Sequence, residues 1–411
     1  MIHRAGDLWS RYVAPGLRGF APVVRRAATV LSIGTVLGWS VAALGAVSAI
    51  AAVILGWNEM LAIAIVCGVL LVIAVPFVLR SAAYRVSVEL ASARVVVGEP
   101  AVGRLIVANT AARRSPSTRV LLPVGTARPE FPVPPLDPDA EHDDLFTIPT
   151  QRRAVLTLGP VTSVRSDPIE LLQRRVRWTE PTDLYVHPRV IPLDGDTTGI
   201  LRDLEGLPTR DLADDDVSFH ALREYVPGDD LRHVHWKSTA RTGVTMIRQF
   251  EQTRRSHLVV ALSTRADEYD SDDEFELAVS IAGSVGVSAI ASGKTVSLLT
   301  PRRTVGPRSG TQLLDLLSGV ESAEGDAGIG ELGRTVATTA AGASVVIFVT
   351  GSQAAPVDMR AAAGRIPVTA RALGLRAAET ERLSRRVIGD LALASVPDLS
   401  SLRSAMRAVT A

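Results

Sequence analysis

The sequence predicts a multi-domain chain: an N-terminal transmembrane helical hairpin, then an antiparallel β-sandwich, then an α/β domain with a doubly wound, mostly parallel sheet. Three observations predict it. Between Ala27 and Leu79 the only formal charge is Glu59. From Tyr84 the texture changes to short alternating runs broken by Gly, Pro, Asn and Ser, and beyond His257 continuous apolar runs alternate with helical ones. A length of 411 residues suits two or three domains.

The apolar stretch is too long for one span and about right for two helices of roughly 20 residues each. The break falls at "GWNE" (Gly56 to Glu59), between "GWSVAALGAVSAIAAVIL" and "MLAIAIVCGVLLVIAVPFVL". Arg11, Arg18, Arg25 and Arg26 precede the hairpin, Arg80 and Arg85 follow it, and the connecting turn has no Lys or Arg. The positive-inside rule then places both ends, and the soluble domains, in the cytoplasm, with the hairpin in the cell membrane. A cleaved signal peptide fits less well, because a second apolar run follows the first at once.

The single cysteine, Cys67, lies in the second span, which excludes a disulfide framework and a cysteine metal site. A net charge of +1 offers no general attraction to nucleic acid, and no cofactor motif is present.

The expected divisions are an N-terminal cytoplasmic segment (1–33), the hairpin (34–80), the sandwich (81–195), a linker with a signature region (196–256) and the α/β domain (257–411). "YRVSVELASARVVVGE", "AVGRLIVAN", "STRVLLPV" and "RAVLTLGPV" alternate with the period of half-buried strands, ending near "DLYVHPRVIPL". "PEFPVPPLDPDAEHDD" reads as an acidic surface loop, since proline cannot donate to a ladder. In the last domain "SHLVVALS", "TVSLLT" and "ASVVIFVTG" read as buried strands, with "DDEFELAVSIAGSVGVSAIAS" and "GTQLLDLLSGV" as helices between them.

The densest polar stretch is "REYVPGDDLRHVHWKSTARTG", residues 223 to 243. A strand should end before "VPGD", a type II turn in which Gly228 supplies the positive φ. Asp229 or Asp230 can cap a following helix that Gly243 terminates. On that helix Arg232, Trp236 and Ala240 fall four residues apart and share a face. The charges of Arg223, Glu224, Asp229, Asp230, Arg232, Lys237 and Arg241 nearly cancel, which fits an internal ion-pair clasp. A surface left for a partner or ligand is a second reading. Catalysis is a third, without a nucleophile and base in a recognisable motif; His233 and His235 on one helix would point about 200° apart, so they could not share a metal.

This stretch resembles the signature of the bacterial domain-of-unknown-function family 58 (DUF58), at Arg223, Tyr225, Gly228, Asp229, Arg232, Trp236, Ala240 and Arg241. "QRRAVLTLGPVTSVRSDPIELL" and "VHPR" resemble further segments of the family, Ala154 standing where the family has glycine after the paired arginines. The resemblance implies an Ig-like sandwich and a last domain similar to a von Willebrand factor A domain. In such domains an Asp-x-Ser-x-Ser strand end holds a divalent cation; here Ala261, Ser263 and Arg265 stand in those places, which implies a degenerate site without metal. "DEYDSDDEFE" lacks the spacing of a calcium loop and suits a helix N-terminus.

The resemblance also implies a membrane-anchored, non-enzymatic adaptor or scaffold that works with a MoxR-type AAA+ ATPase, and with other membrane proteins, in assembly or maturation of protein complexes or envelope components. In that reading 223–243 docks the partner. The alternative is an enzyme or anion-binding protein in which Arg223, Arg232, Lys237 and Arg241 clamp a phosphate and Asp229 or His235 acts as base. A purely structural clasp, with function in the sandwich loops, is the third possibility.

Overall fold

The structure, a computed structural model, describes residues 33–79, 83–193, 212–213, 218–251, 257–340, 342–368 and 370–410. The expected N-terminal segment and most of the acidic run Asp211 to Asp216 lie outside the described residues. The chain forms two compact units, one running to Gln151 and including Val155–Tyr185, the other formed by Arg152–Ala154 and Val186–Ala411.

The first unit begins with helices α1 (Val36–Leu55) and α2 (Asn58–Leu79). Thr35 caps α1 by accepting the Gly38 amide, and Gly56, at φ 68°, ends it in the left-handed conformation that glycine adopts without strain. A Cβ at Gly45 would lie 2.9 Å from that of Cys67, so a small residue lets the two helices approach. Three described helices are long and apolar enough to cross a bilayer. Burial separates them: only 11% and 17% of the apolar windows of α1 and α2 are buried, against 78% for Asp272–Ala291. The first two therefore leave their apolar surface for lipid, which makes the protein membrane-associated.

The strands of this unit are β1 (Tyr84–Leu90), β2 (Arg94–Val96), β3 (Ala101–Asn109), β4 (Thr118–Leu121), β5 (Glu130–Val133), β6 (Glu141–Ile148), β7 (Ala154–Leu158), β8 (Thr162–Ser166), β9 (Gln173–Arg177) and β10 (Thr182–His187). They pair as β1-β3-β6, β2-β10-β7 and β5-β4-β8-β9. Along β3 burial alternates residue by residue, and Leu105 and Val107 enter a core with Val120, Leu122 and Val161. The acidic proline-rich stretch is not all loop. Glu130–Val133 pairs with β4, opposing Pro132 to Arg119, which an edge strand tolerates because no ladder donor is needed on its open side. Glu141–Ile148 is also a strand, with Glu141 and Asp143 on its exposed face and Asp144 on the half-buried one beside His142.

In the second unit β11 (Leu212–Ala213), β12 (Ser218–Glu224) and β13 (Met246–Glu251) form a small antiparallel sheet in the order β11-β13-β12, with helix α3 (Trp236–Thr242) between the last two. The larger part comprises β14 (His257–Leu262), α4 (Asp272–Ala291), β15 (Thr295–Thr300), β16 (Arg303–Val305), α5 (Gly310–Ser318), α6 (Ile329–Thr339), β17 (Val345–Thr350), α7 (Pro356–Ala363), β18 (Arg371–Ala377), β19 (Ser384–Ile388), β20 (Leu391–Val396) and α8 (Leu402–Thr410). Its sheet runs β16-β15-β14-β17-β18-β20-β19, parallel except for the two antiparallel edges. Leu258, Val260 and Leu262 of β14 pack with α4, α5 and α8; Val259 and Ala261 pack with α6 and α7 on the other face. A sheet covered on both sides explains why these strands read as continuous apolar runs.

Two segments expected in the sandwich belong to this second unit. Ile191 and Leu193 donate their amides to Ser284 and Ser288 of α4, at 3.1 and 3.2 Å, and Leu193 enters the core there. Arg153 is buried: its guanidinium donates to the carbonyls of Leu317 and Val320 at the end of α5, forms an ion pair with Glu276 at 2.9 Å and lies over the Phe275 ring. Burial lowers its pKa, opposed by Glu276, yet a guanidinium stays charged. His187, in the "VHPR" segment, pairs with Asp315 at 2.7 Å.

Candidate functional site

The stretch 223–243 is built from strand end, turn, 3-10 turn and helix. The turn forms as its residues dictate: the Asp229 amide donates to the Val226 carbonyl and Gly228 has φ 114°. The helix differs. Instead of one helix from Asp230 to Thr242 there is a 3-10 turn at Leu231–His233, an extended Val234, and then α3. Val234 is buried and bridges to Ile247 of β13, so tertiary pairing breaks what local spacing would have continued. Arg232 and Trp236 consequently do not share a helix face; Arg232 sits on the 3-10 turn and Trp236 opens α3, with Lys237, Ala240 and Arg241 following on it.

Each aspartate has a separate task. Asp229 turns back to β12, where both carboxylate oxygens accept from the Arg223 guanidinium (2.6 and 2.5 Å) and one also accepts the Val226 amide at 2.8 Å. Asp230 caps the 3-10 turn through the Arg232 amide at 2.9 Å and receives two bonds from the Arg232 side chain, at 2.8 and 2.6 Å. The Arg223 fork, then the Val226 amide, hold Asp229 below the usual carboxylate range; the Arg232 side chain, then its amide, hold Asp230 at about 2. Carboxylates so depressed make poor general bases. His235 caps α3, its Nδ1 accepting from the Ser238 amide at 3.3 Å with Ser238 Oγ at 2.8 Å. Gly243, at φ 75°, closes the helix.

With its polar groups answered internally, the stretch leaves a different chemistry outside. Trp236 is 70% exposed, and Leu231, Val226 and Val244 of the same segment are exposed as well. Lys237 and Arg241 are exposed one turn apart on α3 and have no acidic partner among the described residues. Tyr225 is half-buried, tied by its amide to the Thr245 carbonyl.

The second candidate lies at the C-terminal ends of β14 and β17. In the sheet order β15 and β17 flank β14, so the chain reverses direction across the sheet there, where open α/β sheets offer a ligand crevice. Here the chain fills it. Glu268, from the loop after β14, accepts the Ile329 amide at the start of α6 (2.8 Å) and the Thr350 hydroxyl (2.9 Å). Its carboxylate takes the anion position of a helix N-terminus. Gly328 leaves room for it, since a Cβ there would lie 2.4 Å from Glu268 Oε1. Tyr269 donates to the Ser263 carbonyl at 2.6 Å, its hydroxyl pushed well above its ordinary value by burial and by Glu268 and Glu274. Glu274 accepts the Ser352 amide at 2.6 Å, and Gly351 must lack a side chain because a Cβ would lie 2.2 Å from the Glu268 carbonyl.

The sequence places Ala261, Ser263 and Arg265 here. Ala261 is buried in the core under α6 and α7, the buried Ser263 Oγ accepts the Arg265 amide at 3.4 Å, and Arg265 pairs with Asp267 at 3.5 Å. Among the described residues no three carboxylate, imidazole or thiol groups gather to hold a metal. Sequence reasoning missed Glu268; an acid closely following a buried strand, ahead of a helix starting after glycine, was the available signal.

Two apolar helices on a β-rich unit, followed by an α/β unit, define a membrane-associated protein of two folded units. Residues 221–321 match the family described as "Protein of unknown function DUF58". No curated protein matches the chain. The CARDB domain of the PF1109 protein from Pyrococcus furiosus, in complex with di-metal ions, is similar at 17% identity over 26% of this chain and 93% of that one, with a TM-score of 0.20. A β-glucosidase from Listeria innocua follows at 13% identity, 27% and 17% coverage and TM-score 0.18. Spo0M, a sporulation control protein from Bacillus subtilis, has 14% identity, 30% and 56% coverage and TM-score 0.16.

Proposed function

We propose that the protein is a non-enzymatic adaptor, anchored by two spans in the bacterial cytoplasmic membrane with its folded units in the cytoplasm. It docks a MoxR-type AAA+ ATPase during assembly or maturation of protein complexes or envelope components. Its α/β unit is, in this reading, a von Willebrand factor A-like domain whose metal position has been replaced by Glu268. The observation that carries the proposal is Trp236, 70% exposed on an element whose own polar groups are satisfied internally. A rigid platform presenting Trp beside basic side chains is the composition of an interface anchor. The anion-clamp alternative is weakened because Arg223 and Arg232 are engaged by Asp229 and Asp230.

The test is a pull-down from native membranes with and without ATP, using wild type, Trp236→Ala and Lys237→Ala/Arg241→Ala. An AAA+ ATPase retained by wild type and lost from variants that melt normally supports docking. Equal retention by all three overturns it.

A further inference from the structure

The β8–β9 hairpin lies against the entrance of α1, and a short ladder fixes its direction. Ile33 to Thr35 run antiparallel to Leu171 to Gln173: the Gln173 amide donates to the Ile33 carbonyl at 2.6 Å, Gly34 bridges to Leu172, and the Thr35 amide donates to the Leu171 carbonyl at 3.1 Å. Because the pairing is antiparallel, the step from Gln173 back to Leu171 follows the step from Ile33 to Thr35, which the chain continues as α1. The tip of the hairpin therefore extends beside the first turns of α1, in the direction in which that helix enters the apolar layer. A Cβ at Gly38 would lie 2.0 Å from the Leu171 carbonyl, so the contact continues into the helix.

The tip itself is a braced turn. The Glu170 amide donates to the Asp167 carbonyl at 3.0 Å, which puts Pro168 and Ile169 at its two central positions. Asp167, 3% exposed, accepts the amides of Ile169 and Leu172 at 3.0 and 2.7 Å, and Glu170 is held at φ 57°, a left-handed conformation uncommon outside glycine. Small polar residues usually accompany proline in such a turn. Here it holds out Ile169, 52% exposed, next to exposed Pro168. The level of the tip follows from the tryptophans, which favour the two interfaces of a bilayer. Trp39 and Trp57, each about half-exposed, bracket α1, and from Trp39 to Leu55 the helix rises about 24 Å, near the roughly 30 Å of a hydrocarbon core. Trp39 directly follows Gly38, so the loop meets α1 at the interface, and its apolar tip is continuous with the lipid-facing start of that helix, where Val36 is 90% exposed.

We propose that the tip of the β8–β9 hairpin is a third membrane contact, with Pro168 and Ile169 dipping about 5–10 Å into the boundary between headgroups and acyl chains. Glu170, paired with Arg119 at 3.4 Å, stays at headgroup level. The partner is the apolar margin of the bilayer, whatever its headgroups. The inference rests on the reading that α1 and α2 span the bilayer. With the two helices and the tip as separate points of contact, the β-rich unit is held at one tilt to the membrane.

The experiment places the full chain, carrying Cys67→Ala, in nanodiscs of phosphatidylcholine and attaches an environment-sensitive fluorophore at Ile169→Cys, Val47→Cys or Arg128→Cys, with melting in parallel. The label at Ile169→Cys should emit at shorter wavelength than that at Arg128→Cys and lose more fluorescence to lipid brominated high on the acyl chain than to lipid brominated near the chain end. Val47→Cys, well inside α1, should show the reverse order. Arg128→Cys, toward the far end of the β4–β5 hairpin, should be quenched by neither. Pro168→Cys gives the same readout if Ile169→Cys melts below the parent chain. A quenched Val47 label with an unquenched label at the tip overturns the proposal and leaves the spanning reading standing. An unquenched Val47 label refutes the spanning reading, and the inference falls with it.

Discussion

Two carboxylate-rich loops of the second unit use the same side chains under opposite conditions. In the loop after β14, Glu268 and Glu274 are 7% and 2% exposed and satisfy backbone amides at the ends of other elements. In the turn after β12, Asp229 and Asp230 are bound by arginines near in sequence, and the Arg232 side chain is 86% exposed. The buried carboxylates hold distant segments together; the exposed ones shape a local platform. Removing a buried partner strands groups that water cannot reach, whereas removing an exposed one leaves groups that water accepts.

The largest expected effect is at Arg153, a buried cation of this unit. Arg153→Ala leaves Glu276 and the carbonyls of Leu317 and Val320 without their partner and should cost about 3–5 kcal/mol, read from urea unfolding of the full chain in detergent; a loss below about 1 kcal/mol would place the pair with the surface bridges.

Next is Glu268→Ala. It strands the Ile329 amide and the Thr350 hydroxyl, with an expected cost of about 2–3 kcal/mol. Gly351→Ala, which drives a Cβ against the Glu268 carbonyl, should cost about 1–3 kcal/mol. If both variants unfold at the wild-type urea concentration, the loop is not the clasp that its geometry describes.

On the exposed side, Arg232→Ala and Trp236→Ala should shift the melting temperature by no more than about 2 °C. A larger drop in either would turn the platform into a structural clasp.

The smallest effect is at acid pH. Asp230 is held at about 2, below its ordinary 3.8, so its contribution is complete above that ordinary value and fades as pH falls toward about 2. The stability difference between wild type and Asp230→Asn should be constant from pH 7 to 5 and shrink below pH 4. A difference that instead changes near neutral pH would assign it to another group.

Much of this was legible beforehand. The two apolar runs, the Pro-Gly turn with Gly228, the Gly243 helix end and the main β/α alternation beyond His257 depend on spacing within a few residues. The broken helix at Val234 was not legible, because the pairing that breaks it lies with Ile247 across the turn. Helix α6 and the antiparallel edge strands β16 and β19 were missed for a related reason: a glycine- and threonine-rich helix and two short edge strands carry weak periodic signals.

By itself the sequence determined the chain's materials: two stretches apolar enough for lipid, a period-two region and a region of buried strands. Only the tertiary structure decided that Arg153 serves the α/β core, that Glu268 closes the crevice at the sheet's reversal and that Trp236 stays outside. Periodicity records which face of an element is apolar, whereas the fate of a single polar side chain depends on which distant donor or acceptor the fold brings within hydrogen-bond reach.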